Sequence, residues 1–142
     1  MKNSGKHLHI ISFDIPYPAN YGGVIDVFYK LRALVSAGIK IHLHAFQYGR
    51  QSSKILEELC ESVHYYQRDV SKSQLFLKEP YIVVSRSSEQ LIKNLLSDEH
   101  PILFEGLHST HYLSDERLKK RKKIVRTHNK EHEYYKNLAK AE

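Results

Sequence analysis

The chain has 142 residues, which is enough for one domain with a buried core and too short for two ordinary domains. Lysine and arginine outnumber aspartate and glutamate by 22 to 16, and this balance favours an anionic partner such as a nucleotide or a phospholipid surface. The single cysteine, Cys60, excludes an internal disulfide, and no apolar run approaches the length of a membrane span. We therefore expect a cytoplasmic protein.

The first segment combines a buried strand, a proline-stiffened loop and a helix. Apolar residues at 8–13 predict the strand, and helical periodicity over 24–35, ended by Gly38 as a cap, predicts the helix. Gly22 and Gly23 lie between them, where the absence of Cβ atoms lets a phosphate approach the free N–H groups of the first helical turn. A tight turn is the simpler alternative. If a phosphate binds there, we expect Gly23→Val to hinder it without unfolding the domain.

The rest of the chain alternates strands and helices. Further strands are predicted at 39–46, 63–66, 102–105 and 123–128, and helices at 52–59, at 88–96 and at 130–141. Serines cap the two middle helices, Ser87 or Ser88 in the second case. The second of these helices buries a stripe of Leu91, Ile92, Leu95 and Leu96. The alternation predicts an α/β fold with an open parallel sheet in the order 3-2-1-4-5 and helices on its flanks.

Two segments are less regular. Residues 68–85 show no stable period and are interpreted as an excursion over the sheet edge. The last predicted helix reaches Glu142 without a cap, a glycine or a proline. We therefore expect residues 1–142 to form a single domain of a longer protein that continues this helix.

Polar residues follow the predicted first, fourth and fifth strands. Ligands of open parallel sheets bind beyond the carboxyl ends of the strands, where these segments meet. The candidate ligand-binding residues are Asn20, Tyr21, Gly22, Gly23, Glu105, His108, His111, Arg126, His128, Asn129 and Glu131. Arg126 is either a surface ion-pair partner or a planar donor that grips a phosphate or carboxylate.

The chain contains ten histidines, which raises the question of a metal site. His128 and His132 have the i, i+4 spacing of metal ligands, but no third ligand is fixed by the sequence, so no metal is expected. His9, His42 and His44 lie in predicted strands and are interpreted as satisfied core or face residues. No catalytic triad, spaced carboxylate pair or thiol beside a base is found.

Much of the positive charge lies in one run, Lys119, Lys120, Arg121, Lys122 and Lys123. A solvated turn is the simpler interpretation, and a peripheral contact with the inner face of a membrane is the alternative. The run lacks the interleaved aromatic residues typical of nucleic-acid interfaces, so no nucleic-acid partner is expected.

Two stretches resemble one family of enzymes. The loop at 11–23 with its helix, followed by the segment 38–43, looks like the amino-terminal domain of a retaining GT-B glycosyltransferase of the glycosyltransferase family four type. The turn Arg126-Thr127-His128-Asn129, with Glu131 after it, is similar to a turn in the bacterial members of that family. The resemblance spans nearly the whole chain.

The resemblance implies a Rossmann-like domain that binds a glycan or lipid-linked acceptor and closes against a carboxy-terminal domain holding the nucleotide sugar. In the family, the Gly-Gly loop approaches the donor diphosphate, and a histidine after the fourth strand lies near the transferred sugar. His108 is our choice for that histidine, and His111 is the competitor. The family's function implies hexosyl transfer without a metal or other cofactor. Because the donor half is absent, this domain alone is expected to be inactive.

A stand-alone flavodoxin-like module that binds an anionic ligand without chemistry is the alternative. Asp14 alone does not supply the clustered aspartates of a receiver domain, and Pro16-Tyr17-Pro18 makes a poor phosphate loop for a flavodoxin. A pair of glutamates near a strand-to-helix turn in downstream sequence would favour the glycosyltransferase.

Overall fold

The fold is that of a computed structural model, which describes residues 6–20, 22–47, 50–67, 88–106 and 109–126. Five parallel strands form one sheet in the order β3-β2-β1-β4-β5: β1 (His7–Ser12), β2 (Lys40–Gln47), β3 (Ser62–Gln67), β4 (Ile102–Glu105) and β5 (Lys123–Arg126). The helices in the described ranges are α1 (Gly22–Ser36), α2 (Lys54–Leu59) and α3 (Glu89–Leu96), with a 3₁₀ turn at Glu116–Leu118. The predicted α/β class and strand order are confirmed.

The centre of the sheet is β1, which pairs in parallel with β2 on one side and β4 on the other. Ile10 lies opposite both Leu43 of β2 and Leu103 of β4. Helices cover both faces of a parallel sheet, so its strands need no strict alternation of apolar and polar residues. The prediction that 8–13 and 102–105 are parallel neighbours is confirmed.

The helices begin and end where the sequence predicts. The hydroxyl of Ser53 accepts from the Leu56 N–H at the start of α2, and that of Ser88 accepts from the Leu91 N–H at the start of α3. Each cap satisfies one N–H that the helix itself leaves without a partner. Gly38 has a φ of 91°, so the turn after α1 uses the left-handed conformation that favours glycine.

Two apolar cores lie on opposite faces of the sheet. On the face that α1 and α2 cover, the larger buried side chains include Ile10, Val27, Leu31, Leu43 and Leu56. On the face that α3 covers, they include Ile11, Phe46, Leu91, Leu95 and Phe104. The predicted α3 stripe was wrong at one position, because Leu96 is the last residue of the helix and 43% exposed.

Some predictions fall on residues that the structure does not describe. These are the excursion at 68–85, the last two residues of the predicted fifth strand and the helix at 130–141. Among the helices that are described, none is both long enough and apolar enough to cross a membrane.

Candidate functional site

Short polar contacts hold the loop between β1 and α1 at the carboxyl end of β1. The Ser12 hydroxyl donates to the Asp14 carbonyl at 2.6 Å, and the Ile15 N–H donates to the Asp14 carboxylate at 2.8 Å. These bonds fix the direction in which the chain leaves the strand. The helix α1 then begins at Gly22, at the edge where open parallel sheets bind their ligands.

The two glycines at this helix start have different surroundings. A Cβ at Gly22 would meet no atom within 4 Å, whereas a Cβ at Gly23 would lie 2.7 Å from Cζ of Phe13. Phe13 is a core ring that is 8% exposed, so glycine at position 23 is needed for packing. The expectation that Gly23→Val spares the fold is therefore wrong. A substitution at Gly22 can therefore test whether a ligand approaches the backbone at this helix start.

Four charged side chains from α1, β4 and β5 form an ion-pair network at this edge. The side chain of Glu105 is fully buried, and its Oε2 accepts a hydrogen bond from Lys30 Nζ. Its Oε1 lies 3.6 Å from Nη1 of Arg126, which also donates to the carboxylate of Asp26. A buried carboxylate is costly without cationic partners, so Lys30 and Arg126 explain how Glu105 is tolerated here.

The network favours one of the two interpretations of Arg126. The hydrogen bond to Asp26 raises the pKa of the Arg126 guanidinium, and the two acids and two bases of the network cancel in formal charge. Arg126 is thus an ion-pair partner within the chain. A ligand anion would have to compete with Asp26 and Glu105 for it, and the phosphate-binding role of Arg126 stays a prediction.

A concavity opens on the other side of β1, between the β1–α1 loop and the segment after β2. Its volume is about 580 Å³, and it is lined by Tyr17, Pro18, Asn20, Arg50, Gln51, Ser52, Ser53, Lys54 and Ile55. Arg50 donates to Oδ1 of Asn20 at 3.1 Å and to the Pro18 carbonyl, which ties the two segments together. None of its lining residues in the described part of the chain is acidic, so this concavity favours an anion more than the Glu105 network does.

The sequence did not identify Asp26 and Lys30 of the ion-pair network, or Arg50 and Lys54 of the concavity, as site residues. Asp26 and Lys30 are opposite charges four residues apart in a helix, but this spacing does not show that they bond to Arg126 of β5 and Glu105 of β4. Arg50 and Lys54 lie beside the loop at 17–20 only because β2 pairs with β1. No local motif in the sequence marks them.

The structure divides the predicted site residues between these places. Asn20 lies with Arg50 in the concavity, and Glu105 and Arg126 belong to the ion-pair network. His111 lies in the turn after β4, where its ring meets that of Tyr112 edge-on at 4.7 Å. Gly22 and Gly23 lie at the start of α1. The other predicted residues, Tyr21, His108, His128, Asn129 and Glu131, lie outside the described ranges.

A chain of hydrogen bonds crosses three strands on the face that α3 covers. Oδ1 of Asp98 lies 2.8 Å from Nε2 of His9, and Nδ1 of His9 lies 2.8 Å from Nε2 of His44. Nδ1 of His44 lies 2.8 Å from the hydroxyl of Tyr66, to which Asn94 donates at 2.8 Å. All of these distances are normal for hydrogen bonds, so five polar side chains satisfy one another inside the protein.

The donor and acceptor roles in this chain of hydrogen bonds follow from Asp98 at its end. Ionised Asp98 only accepts, so a neutral His9 donates from Nε2 and accepts at Nδ1 from His44. His44 then accepts at Nδ1 from the Tyr66 hydroxyl. Burial lowers the pKa of His44, and burial also lowers the pKa of His9 despite the opposing hydrogen bond to Asp98. The lowered pKa values favour neutral imidazoles at both positions.

A shorter chain joins the amino ends of the same strands. Nδ1 of His7 lies 2.8 Å from Nε2 of His42, whose Nδ1 lies 2.8 Å from the Ser62 hydroxyl. The ring of His100 stacks on that of His7 at 4.4 Å. In the ranges that the structure describes, no three or more His, Cys, Asp or Glu side chains are grouped so that they could hold a metal ion. The interpretation of the strand histidines as satisfied residues is confirmed.

The basic run at 119–123 is only partly solvated. The side chain of Arg121 is 8% exposed and donates to the carbonyls of Leu95 and His100. Lys123 donates to the Leu113 carbonyl at 3.0 Å. Two of the five cations thus hold the chain together, and the exposed ones are Lys119, Lys120 and Lys122.

Comparison with known proteins gives one relative and no family. The chain is 32% identical over 136 residues to an "Uncharacterized 44.6 kDa protein in cps region" of Klebsiella pneumoniae. The match covers 91% of this chain but only 35% of that protein, so the chain spans about a third of its relative's length. No protein-family model matches the chain. No solved structure matches it either.

Proposed function

We propose that this chain is the amino-terminal, acceptor-side domain of a bacterial glycosyltransferase of the GT-B type, which builds a cell-envelope polysaccharide. The observation that carries the proposal is the relative in a cps region, a designation used for capsule polysaccharide genes. That relative is nearly three times as long as the matched segment, which leaves room for a second domain that binds the nucleotide sugar.

The fold supports this assignment. The parallel sheet, with α1 beginning at Gly22 directly beyond the carboxyl end of the central strand, has the form of a domain that binds a ligand at this edge. The ion-pair network of Asp26, Lys30, Glu105 and Arg126 connects α1 to β4 and β5. It therefore holds the start of the helix in a fixed position relative to the sheet, as a preorganised site requires.

In the proposed reaction, an acceptor hydroxyl forms a bond to the anomeric carbon of the donor sugar, and the bond from that carbon to the nucleotide diphosphate breaks. The proton of the hydroxyl passes to the leaving diphosphate. Negative charge then develops on the leaving diphosphate. We assign the stabilisation of this charge to the backbone N–H groups at Gly22, because the first N–H groups of a helix have no acceptor within it and a Cβ at Gly22 would meet nothing within 4 Å. In this scheme a histidine after β4 contacts the donor sugar. His108 is the proposed histidine, and His111 is the alternative.

The test uses the complete protein that carries this chain and measures release of nucleoside diphosphate from a set of nucleotide sugars. We expect Gly22→Val to lower the turnover by roughly 100-fold, because the valine side chain would keep the diphosphate away from these N–H groups, and losing one such preorganised contact costs about that much. The control is Ala33→Val, which places the same side chain at an exposed position farther along α1. Ala33→Val should leave the turnover within about twofold, since it carries only the small helix-propensity penalty of valine.

Three outcomes would contradict the proposal or part of it. The first is that the complete protein releases no nucleoside diphosphate from any donor. The second is that Gly22→Val and Ala33→Val lower the turnover equally. The first result would favour a binding module without chemistry. A 142-residue chain that is as active as the complete protein would overturn the proposed division between acceptor and donor domains.

A further inference from the structure

The two outermost strands of the described sheet, β3 and β5, differ in what they expose. In β3 the only exposed residue is Gln67, which is polar, and the others are buried or half-buried. In β5 the exposed residues are Ile124 and Val125, which are 48% and 37% exposed. Both are β-branched apolar side chains, which favour strands that other elements cover. The β5 end of the sheet therefore exposes the kind of side chain that the β3 end does not.

The two exposed side chains of β5 lie on opposite faces of the sheet, and each continues one of the apolar cores. Ile124 pairs in register with Leu103, and Val125 pairs with Phe104. Leu103 belongs to the core on the α1 and α2 face, and Phe104 belongs to the core on the α3 face. Paired residues of neighbouring strands point to the same face. Both cores thus extend to β5 and are open to water there.

The charged residues of β5 do not protect this edge. Natural proteins often place lysine or another charge on an exposed edge strand, where it prevents pairing with further strands. Here Lys123 donates to the Leu113 carbonyl at 3.0 Å, and Arg126 donates to the carboxylate of Asp26. Both cations bond to groups of the same chain, and the two apolar side chains are left as the exposed surface of the strand.

The backbone of β5 has one side available for a further strand. The carbonyls of Lys122 and Arg126 accept from the N–H groups of Ile102 and Gly106, so every second residue from Lys122 turns its backbone groups towards β4. The residues between them turn theirs to the opposite side, because backbone direction alternates along a strand. Within the described part of the chain, β5 pairs with β4 alone. The Val125 N–H and carbonyl are therefore the groups to which a sixth strand would bond.

We propose that a sixth parallel strand, from the part of the complete protein that follows residue 142, pairs with β5 and covers Ile124 and Val125. The relative from the cps region is nearly three times as long as the matched segment, and a protein of that length has chain for such a strand. The step from β4 to β5 moves outward in the sheet, and consecutive strands of such sheets are usually neighbours. The domain then extends beyond the residues 1–142 expected from the sequence.

A strand of the same chain fits this edge better than a second copy or a separate protein. Stable interfaces between proteins bury about 1,600 Å² in total, which is far more than two partly exposed side chains on a short strand can supply. A strand of the same chain does not lose the translational and rotational freedom that association of two molecules costs, so a small surface is sufficient. The sixth strand should carry aliphatic or β-branched residues on both faces, as buried parallel strands do.

The test follows amide hydrogen exchange by NMR in the complete protein that carries this chain. If a sixth strand pairs with β5, the Val125 N–H should exchange at least about 100-fold more slowly than in an unstructured peptide, as amides in stable strands do. The Ile124 N–H points to β4, so it is the control and should be protected with or without a sixth strand. Nuclear Overhauser contacts of the Val125 N–H then identify the covering residues, which should lie beyond residue 142.

A matched pair of variants tests the covered side chain. We expect Ile124→Glu to lower the melting temperature of the complete protein by at least about 4 °C, because the sixth strand would bury the new carboxylate. The control is Ile55→Glu on α2, where the side chain is 44% exposed and the sixth strand does not reach. That variant should change the melting temperature by less than about 2 °C, as substitutions at exposed positions usually do.

Four results would overturn the proposal. The first is that the Val125 N–H exchanges as fast as in an unstructured peptide while that of Ile124 is protected, which would make β5 the true edge of the sheet. The second is that the contacts of the Val125 N–H lie within residues 1–142. The third is that its protection disappears when a dimer dissociates on dilution, which would assign the cover to a second copy. The fourth is that Ile124→Glu and Ile55→Glu have equal effects.

This inference does not rest on the proposed glycosyltransferase function, because it concerns the extent of the sheet and not the chemistry at its carboxyl edge. Protection of the Val125 N–H in a complete protein that turns over no nucleotide sugar would support the sixth strand and contradict the enzyme. Sugar transfer by a complete protein in which this N–H exchanges freely would support the enzyme and contradict the sixth strand.

Discussion

The middle of the sheet and its carboxyl edge both carry polar side chains, and they use them differently. In the middle, His9, His44 and Tyr66 are buried and bond to one another and to side chains of the α3 region. At the edge, Arg50 and Lys54 line an open concavity in which no described lining residue is acidic. The first group is satisfied by partners inside the protein. In the second, Arg50 bonds to Asn20 and to the Pro18 carbonyl, and Lys54 is exposed beside a space that a ligand can enter.

This difference shows that a large number of titratable residues does not by itself identify a binding site. Six of the ten histidines lie on or beside one sheet face, where their ring nitrogens and ring planes contact one another. Such contacts are those of a polar core, in which each group is hydrogen-bonded because a buried polar atom without a partner is costly. The region with fewer titratable groups is the better candidate for binding.

The largest expected effect comes from removing a link in the buried chain. His44→Ala deletes a side chain that is 1% exposed and takes partners from His9 and Tyr66. We expect the free energy of unfolding to fall by about 3 kcal/mol, because a cavity and a lost buried hydrogen-bond partner add. Urea denaturation followed by circular dichroism measures the change.

The matched control is His64→Ala. Its ring stacks on that of His44 at 5.3 Å, but the residue is only half-buried, so we expect a loss of less than about 1 kcal/mol. Equal losses for the two variants would show that the buried hydrogen bonds of His44 do not set its contribution to stability.

The fold was predictable because its signals are local and repeated. Each strand is an apolar run bounded by turn residues, and Ser53, Ser88 and Gly38 mark helix ends by the same chemistry in any protein. The strand order follows from the alternation of strands and helices, since crossovers in parallel sheets keep one hand. The exposed Leu96 at the end of α3 shows where a periodic pattern alone is insufficient.

The candidate site was predictable only in part, because its contacts join residues that are far apart in the sequence. Glu105 was correctly identified as a polar residue at the end of a strand, but its burial depends on Lys30, 75 residues earlier. Gly22 and Gly23 look alike in the sequence, and only the position of the Phe13 ring distinguishes them. Such distinctions require the three-dimensional packing.

A smaller effect is expected from pH. Burial lowers the pKa of His9, His42 and His44 in the folded chain, whereas in the unfolded chain each titrates near its ordinary value of about 6.5. Below that pH the unfolded state binds more protons than the folded state. Stability is therefore fully present above about pH 6.5 and falls as the pH decreases, by at most about 1.4 kcal/mol per imidazole for each pH unit.

Urea midpoints measured between pH 8 and pH 5 test this expectation. They should be nearly constant above pH 7 and then fall towards pH 5. His44→Ala should show a shallower fall, since one of the buried imidazoles is gone. A midpoint that stays constant from pH 7.5 to pH 5.5, or one that rises, would show that the buried histidines carry protons in the folded protein.

The smallest effect is expected where a charged side chain is exposed. Within the basic run, Arg121 bonds to the carbonyls of Leu95 and His100, whereas Lys119, Lys120 and Lys122 are exposed. Changing these three lysines together to glutamine should alter the free energy of unfolding by less than about 0.5 kcal/mol, because surface charges contribute little to stability. Urea denaturation in low salt measures it.

The matched change is Arg121→Gln, which removes a side chain that is 8% exposed and leaves the Leu95 and His100 carbonyls without this donor. We expect a loss of about 2 kcal/mol, in the range for a buried group deprived of its partner.

The same triple lysine variant also tests the membrane alternative with vesicles that contain anionic lipid. If the exposed lysines contact such a surface, its vesicle affinity should fall by about 1 kcal/mol per lysine, while its stability stays unchanged. If the triple variant loses as much stability as Arg121→Gln, the exposed lysines also stabilise the fold. The distinction between buried and exposed cations would then not apply to this run.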